Sequence, residues 1–139
     1  MAGPSVELLQ RIPLFAALDQ KGLNRLTDSF EEHTFQAGED AVTEGEHGGR
    51  FYVIASGEAL VLVHGEEKRR LGPGGYFGDV AMIDEGDRSA SIRAASDLKC
   101  YGLGFGDFRP LVESDPRVAW PMLQAMARRL RAAEADSAT

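Results

Sequence analysis

Hydrophobic positions divide the chain into three regimes. Val6, Leu8, Leu9 and Ile12 recur at helical spacing, which predicts a short helix packed by one face and ended at Pro13. Leu14 to Leu18 follows as a compact apolar turn. Asp19 then stands where an N-cap would, ahead of Leu23, Leu26 and Phe30 at helical spacing, so a second helix is predicted to cover one end of the core.

From His33 to Phe105 the helical period gives way to short β-rich runs separated by glycines, the pattern of a β-roll or sandwich. Phe51–Ile54 and Ala59–Val63 are the clearest strands, and the turn Ala55–Glu58 between them predicts a hairpin. His64–Lys68 reads as a second polar turn, leading through Arg69 to Leu71 and the flexible Gly72-Pro73-Gly74-Gly75. Ser89–Ala94 and Leu98–Leu103 are two more strand candidates, joined by Ala95-Ser96-Asp97. Beyond Phe105 the helical period returns. Asp107 is placed to cap a helix over Phe108–Val112, and Pro116 suits the first turn of a last helix that Trp120-Pro121 is expected to kink. Leu123, Met126, Ala127 and Leu130 are predicted to line its buried face, with Arg128, Arg129 and Arg131 near its C-terminal dipole. The expected fold is α+β: an antiparallel β-roll or jelly roll over 33–105, flanked by N-terminal helices over 5–30 and C-terminal helices over 106–134. One domain is expected over 1–139, with little to hold the tail at 135–139.

Composition narrows the function classes. At 139 residues, 43% hydrophobic and 27% charged, the chain has the make-up of a soluble globular domain. No apolar run approaches the roughly 20 residues that span a bilayer, and Met1–Ser5 is not followed by the apolar core of a signal peptide. A cytoplasmic location without membrane attachment is therefore expected. The single cysteine, Cys100, excludes an intrachain disulfide and reads as a core thiol. A formal charge of −7 argues against direct binding to nucleic acid, so an anionic ligand would need a local basic site.

One stretch offers such a site. Over 76–92, Gly78 and Asp79 precede a short apolar run, Val80 to Ile83, and Arg88 follows after a polar loop. The first free N–H groups of a short helix attract a phosphate, and a guanidinium grips two of its oxygens at once. Considered alone, the same pattern also suits a plain loop with a surface arginine in an ion pair. Met82 and Ile83 are expected to face the core, and Trp120 to pack in the helical cap. His33, His47 and His64 show neither HxH nor HExxH spacing and read as surface or turn residues, so no metal is expected. Asp84, Glu85 and Asp87 lie in one loop without a candidate nucleophile and read as solvated. No catalytic residue emerges.

Taken together, Pro13-Leu14-Phe15 before a helix, Phe35-Gln36-Ala37-Gly38-Glu39, Glu44-Gly45-Glu46, Phe51-Tyr52-Val53-Ile54 with Ser56-Gly57, Gly75-Tyr76-Phe77-Gly78-Asp79 and Arg88-Ser89-Ala90 resemble the cyclic nucleotide-binding domain family. The chain is similar to the forms carried by bacterial cyclic-AMP receptor proteins and protein kinase A regulatory subunits, and the resemblance runs from about Leu9 to about Glu134. It implies a phosphate-binding cassette whose ligand-facing residues are Phe77, Gly78, Asp79, Val80, Ala81, Arg88, Ser89 and Ala90. Arg88 would pair with the cyclic phosphate, Ser89 would offer its hydroxyl and N–H, and the N–H groups around Val80 and Ala90 would add donors. Gly78 would allow close backbone approach. Asp79 occupies the family's glutamate position, facing the ribose 2′-hydroxyl with one methylene less. Ala133 and Glu134 stand where receptor relatives carry polar groups that contact the purine. The resemblance implies a non-enzymatic sensor for cyclic AMP, favoured over cyclic GMP on family base rate, that signals by repositioning the C-terminal helix. Its partner would be an effector protein or a fused effector domain. Two other readings share these residues: a degenerate domain serving as a ligand-free interaction module, and a metal-dependent cupin-like enzyme.

Overall fold

The computed structural model describes residues 4–47 and 49–138, with the side chains of 13 and 135–138 outside the description. The expectation about the tail at 135–139 therefore lies outside the described residues. In chain order the elements are α1 (Val6–Gln10), a 3₁₀ turn (Pro13–Phe15), α2 (Gln20–Ser29), β1 (Glu31–Phe35), β2 (Asp40–Val42), β3 (Arg50–Ser56), β4 (Ala59–Val63), β5 (Glu66–Leu71), β6 (Tyr76–Phe77), α3 (Asp79–Asp84), β7 (Ser91–Ala94), β8 (Leu98–Gly104), α4 (Phe105–Ser114) and α5 (Pro116–Ala138). The strands form two four-stranded antiparallel sheets, in the orders β1-β8-β3-β6 and β2-β7-β4-β5. Helices flank this β-roll.

Two cores share β3 and β8. Phe51 and Val53 face the helices with Leu9, Phe15, Leu23, Leu103, Phe108 and Met122. The alternate residues Tyr52 and Ile54 face the second sheet, with Val61, Ile92 and Cys100. A strand covered on both faces must be apolar at successive positions, which is why Phe51–Ile54 is an unbroken run. Cys100 is fully buried, and desolvation pushes its thiol up to about 12.

The local signals near the N-terminus act as their chemistry dictates. Ser5 accepts from the Leu8 N–H at 3.1 Å to cap α1, and Asp19 accepts from the Gly22 N–H at 2.8 Å to cap α2. Elsewhere the fold departs from expectation. β3 and β4 form no hairpin, because they belong to different sheets. The corner between them packs on the corner between β7 and β8: the Glu58 carbonyl accepts from the Ala95 N–H at 2.8 Å, and the Ser96 hydroxyl accepts from the Glu58 N–H at 3.1 Å. The expected turn at His64–Lys68 shrinks to His64 and Gly65, both at positive φ, as in a two-residue hairpin. Glu66–Leu71 is then a strand that lacks apolar alternation because it is a solvent-facing sheet edge.

The C-terminal helices also differ. α4 begins at Phe105 behind Gly104, so Asp107 lies in the first turn and caps nothing. α5 runs without interruption through Pro121. Its buried residues are Val118 and Met122, with Met126 partly covered, whereas Trp120, Leu123 and Leu130 are 62%, 56% and 60% exposed. The helix carries two apolar stripes, and the one at 118, 122 and 126 meets the core. Ile83 is likewise exposed while Met82 is buried. His33 is not a surface residue in the expected sense: its ring meets Tyr52 edge-on, and its Nε2 is buried without a hydrogen-bond partner.

Gly57 makes the β3–β4 corner possible. Its φ is +88°, and a Cβ there would collide with the Asp97 carbonyl oxygen. Gly57→Ala is expected to lower stability by about 1–3 kcal/mol. Urea unfolding should show an earlier midpoint with an unchanged slope.

Candidate functional site

The segment after β6 makes a tight change of direction. Gly78 adopts φ +90°, and a Cβ on it would lie 2.5 Å from the Arg50 carbonyl oxygen and 3.0 Å from an Arg88 guanidinium nitrogen. Only glycine fits this approach without strain. α3 starts at once, with Gly78 as its cap and no side chain closing its first turn, so N–H groups of that turn remain without intrahelical partners.

Arg88 arrives from the opposite side of the cleft, and its backbone is fixed before its side chain is considered. Its N–H donates to the Glu46 carbonyl at 2.8 Å, and its carbonyl accepts from the Gly45 N–H at 2.9 Å. Beside it, His47 Nδ1 and Asp87 Oδ1 are 3.2 Å apart. The side chain is 5% exposed, and its guanidinium donates to the Gly78 carbonyl at 3.1 Å and the Arg50 carbonyl at 2.9 Å. Burial lowers its proton affinity below the ordinary arginine value, against opposing contributions from Tyr52 and Asp79. Arg88 is thus no surface ion-pair residue. A guanidinium has five donors, and among the described residues its hydrogen bonds go to backbone carbonyls and not to a carboxylate.

Asp79 is 2% exposed, and its carboxylate accepts from the Arg129 guanidinium at 2.6 Å. This ion pair ties α3 to α5. Arg129 escaped the sequence reading, which assigned it to the helix dipole. The available signal was spacing, since Arg129 lies two turns beyond the buried Met122 and on the same face. Arg69 on β5 was missed as well. It lines the cleft together with Gly78, Asp79, Arg88, Ser89 and Arg129.

The expected site residues gather around this cleft. Phe77 stacks on Tyr52 with centroids 5.0 Å apart, so its side chain belongs to the core as well as to the cleft wall. Ala81 is buried, Val80 and Ala90 are partly covered, and Ser89 is exposed at the rim. Asp84, Glu85 and Asp87 are exposed. Among the described residues, no group of three or more His, Cys, Asp or Glu is placed to hold a metal ion, and no helix is long and apolar enough to cross a membrane. The cleft holds about 50 Å³ and adjoins a cavity of about 720 Å³ between β5, β6 and α5, with Arg69 and Arg129 lining both.

Comparison with known proteins gives concordant results. A family profile described as "Cyclic nucleotide-binding domain" matches residues 32–115. The chain is 34% identical over 106 residues to a cAMP-dependent protein kinase regulatory subunit of Emericella nidulans, a match that covers 75% of this chain and 26% of that protein. It therefore spans about a quarter of that relative's length. The crystal structure of Thermus thermophilus catabolite activator protein superimposes with a TM-score of 0.78 at 33% identity, over 89% of this chain and 61% of that one. The regulatory domain of Toxoplasma gondii PKA, crystallised with cAMP, superimposes with a TM-score of 0.67 at 30% identity, over 76% and 42% respectively.

The Asp79–Arg129 contact can be measured directly. In a double-mutant cycle of Asp79→Ala and Arg129→Ala, a coupling of about 1–3 kcal/mol in unfolding free energy is expected. Additive single effects would show that the pair contributes nothing to holding α5.

Proposed function

The chain belongs to the cyclic nucleotide-binding domain family, and from that premise we propose that it is a non-catalytic sensor that binds a cyclic nucleotide in the cleft and reports occupancy through α5. One observation carries the reading. Arg88 is a buried cation, its backbone held by two hydrogen bonds, lining a cleft beside the open first turn of α3, and no carboxylate is hydrogen-bonded to it among the described residues. A cyclic phosphate supplies the opposing charge. Arg88 would pair with two of its oxygens, Ser89 would donate from its hydroxyl and N–H, and the Val80 and Ala90 N–H groups would complete the shell. Asp79 would accept from the ribose 2′-hydroxyl.

The reporting step follows from the ion pair. Arg129 holds Asp79 Oδ2 at 2.6 Å, and a ribose hydroxyl donating to the same carboxylate would compete with that guanidinium for its charge. Ligand binding is therefore coupled to the position of Arg129, and through it to α5. Such coupling requires the ligand to bind one arrangement of α5 better than the other. The output would pass to an effector, either a separate protein or another part of a longer chain. Cyclic AMP is the reference ligand, because two of the relatives carry it in their descriptions. A ligand-free interaction module is the second reading, supported by the engagement of Asp79 with Arg129.

Arg88→Leu is expected to weaken cyclic-nucleotide binding at least about 100-fold, corresponding to loss of a charge-assisted bidentate contact. Isothermal titration with cyclic AMP and cyclic GMP measures this, with circular dichroism as the check on folding. Unchanged affinity in a folded variant would sink the assignment. Absence of any saturable heat from the unsubstituted protein at millimolar ligand would favour the interaction module.

A further inference from the structure

A separate cavity of about 420 Å³ lies between α2 and α4, and it shares no lining residue with the cleft at Arg88. Its size falls within the range of small-molecule sites, and cyclic-nucleotide binding gives it no role. Leu18, Leu26 and Leu103 are buried and form its apolar floor. Two glycines inside helices keep it open. Gly22 of α2 and Gly106 of α4 both line it, at positions where alanine would favour the helix. A Cβ on Gly106 would meet nothing within 4 Å, so packing does not demand a glycine there.

The polar groups divide by wall. Arg117 answers two of the carboxylates: it holds Asp115 at 3.0 Å and lies 3.9 Å from Asp19, while Asp19 also caps α2. On the α2 wall stand Lys21 and Arg25, one turn apart on one face. Neither enters an ion pair or a side-chain hydrogen bond among the described residues. On the α4 wall, Pro110 has no N–H, so the Gly106 carbonyl lacks the donor that an α-helix supplies four residues on. Gly106 and Pro110 share a helix face and both line the cavity, which puts that acceptor at its wall. Asp107, next to Gly106, lines the cavity as well and has no ion-pair partner among the described residues.

Cations therefore face acceptors across an apolar floor. We propose that this cavity is a second ligand site, for a small organic carboxylate with a ring-sized apolar body and a hydroxyl at its far end. The carboxylate pairs with Lys21 and Arg25 in charge-assisted hydrogen bonds. The apolar body covers the three leucines, and the hydroxyl donates to the Gly106 carbonyl or to Asp107. Two unengaged cations side by side supply the local positive field that an anion needs in a protein of net charge −7. The site is independent of the cyclic-nucleotide reading.

Isothermal titration with 4-hydroxyphenylacetate tests this, and saturable binding with a Kd below about 1 mM is expected. Phenylacetate, which lacks the hydroxyl, should bind about fivefold weaker, and 4-hydroxyphenylacetamide, which lacks the charge, at least about tenfold weaker. Arg25→Gln should weaken the hydroxy acid about tenfold and the amide by less than about twofold. Gly106→Leu fills the cavity from the α4 wall. It should abolish binding while melting no lower than the parent, since leucine is the better helix former. Arg88→Leu should bind 4-hydroxyphenylacetate as the parent does. No saturable heat from the parent overturns the inference, as does equal binding of the amide or undiminished binding by Gly106→Leu. Loss of binding in Arg88→Leu would put the ligand in the other cleft and overturn it too. None of these outcomes alters the cyclic-nucleotide reading, which its own titration decides.

Discussion

Burying a guanidinium is expensive unless its donors are met, and the cassette is arranged around meeting those of Arg88. Two backbone carbonyls, from Gly78 at the start of α3 and Arg50 at the start of β3, accept from it. Each acceptor constrains its own element. Gly78 must hold positive φ to bring its carbonyl round, and β3 must present Arg50 at the mouth of the roll. The backbone of Arg88 is fixed in turn by Glu46 and Gly45, so loop 43–47 also belongs to the site. Carbonyls satisfy hydrogen bonds and do not neutralise charge, so the guanidinium keeps its positive charge inside a protein of net charge −7.

A second interaction connects this cassette to the rest of the molecule. Asp79 is buried, and its partner comes from the last helix, 50 residues later. α5 also packs Val118 and Met122 into the helical core, so one helix carries both the Asp79 contact and part of that core. The opposite stripe of α5, with Trp120, Leu123 and Leu130, stays in solvent.

What could be read from residues alone was whatever local chemistry enforces. Asp19 caps because a short carboxylate before an apolar-periodic segment can reach only the nearby N–H groups. Phe51–Ile54 is a strand because such a run of aromatic and β-branched residues packs best on a pleated surface. Gly78, Asp79 and Arg88 were visible as a possible anion site, since helix ends and guanidinium groups carry their chemistry wherever they are placed, and the order of the motifs made the family legible. Cys100 could be placed in the core from its apolar neighbours.

Matters of partnership were not legible, because they depend on surfaces far apart in the chain. Whether β4 pairs with β3 or crosses to another sheet turns on the contact of Gly57 and Glu58 with residues near 95–97. α5 has two apolar stripes, and the spacing within the helix cannot say which one α4 and the 3₁₀ turn will cover. Glu66–Leu71 looks like a loop until a neighbouring strand supplies the hydrogen bonds that its side chains do not advertise. For the same reason the anion cradle was readable as a type of chemistry, while the identity of its neighbours was not. Spacing puts Arg129 on the Met122 face of α5, but that it meets Asp79, and that Arg69 lines the same cleft, is decided only by the packing of a helix and a sheet edge.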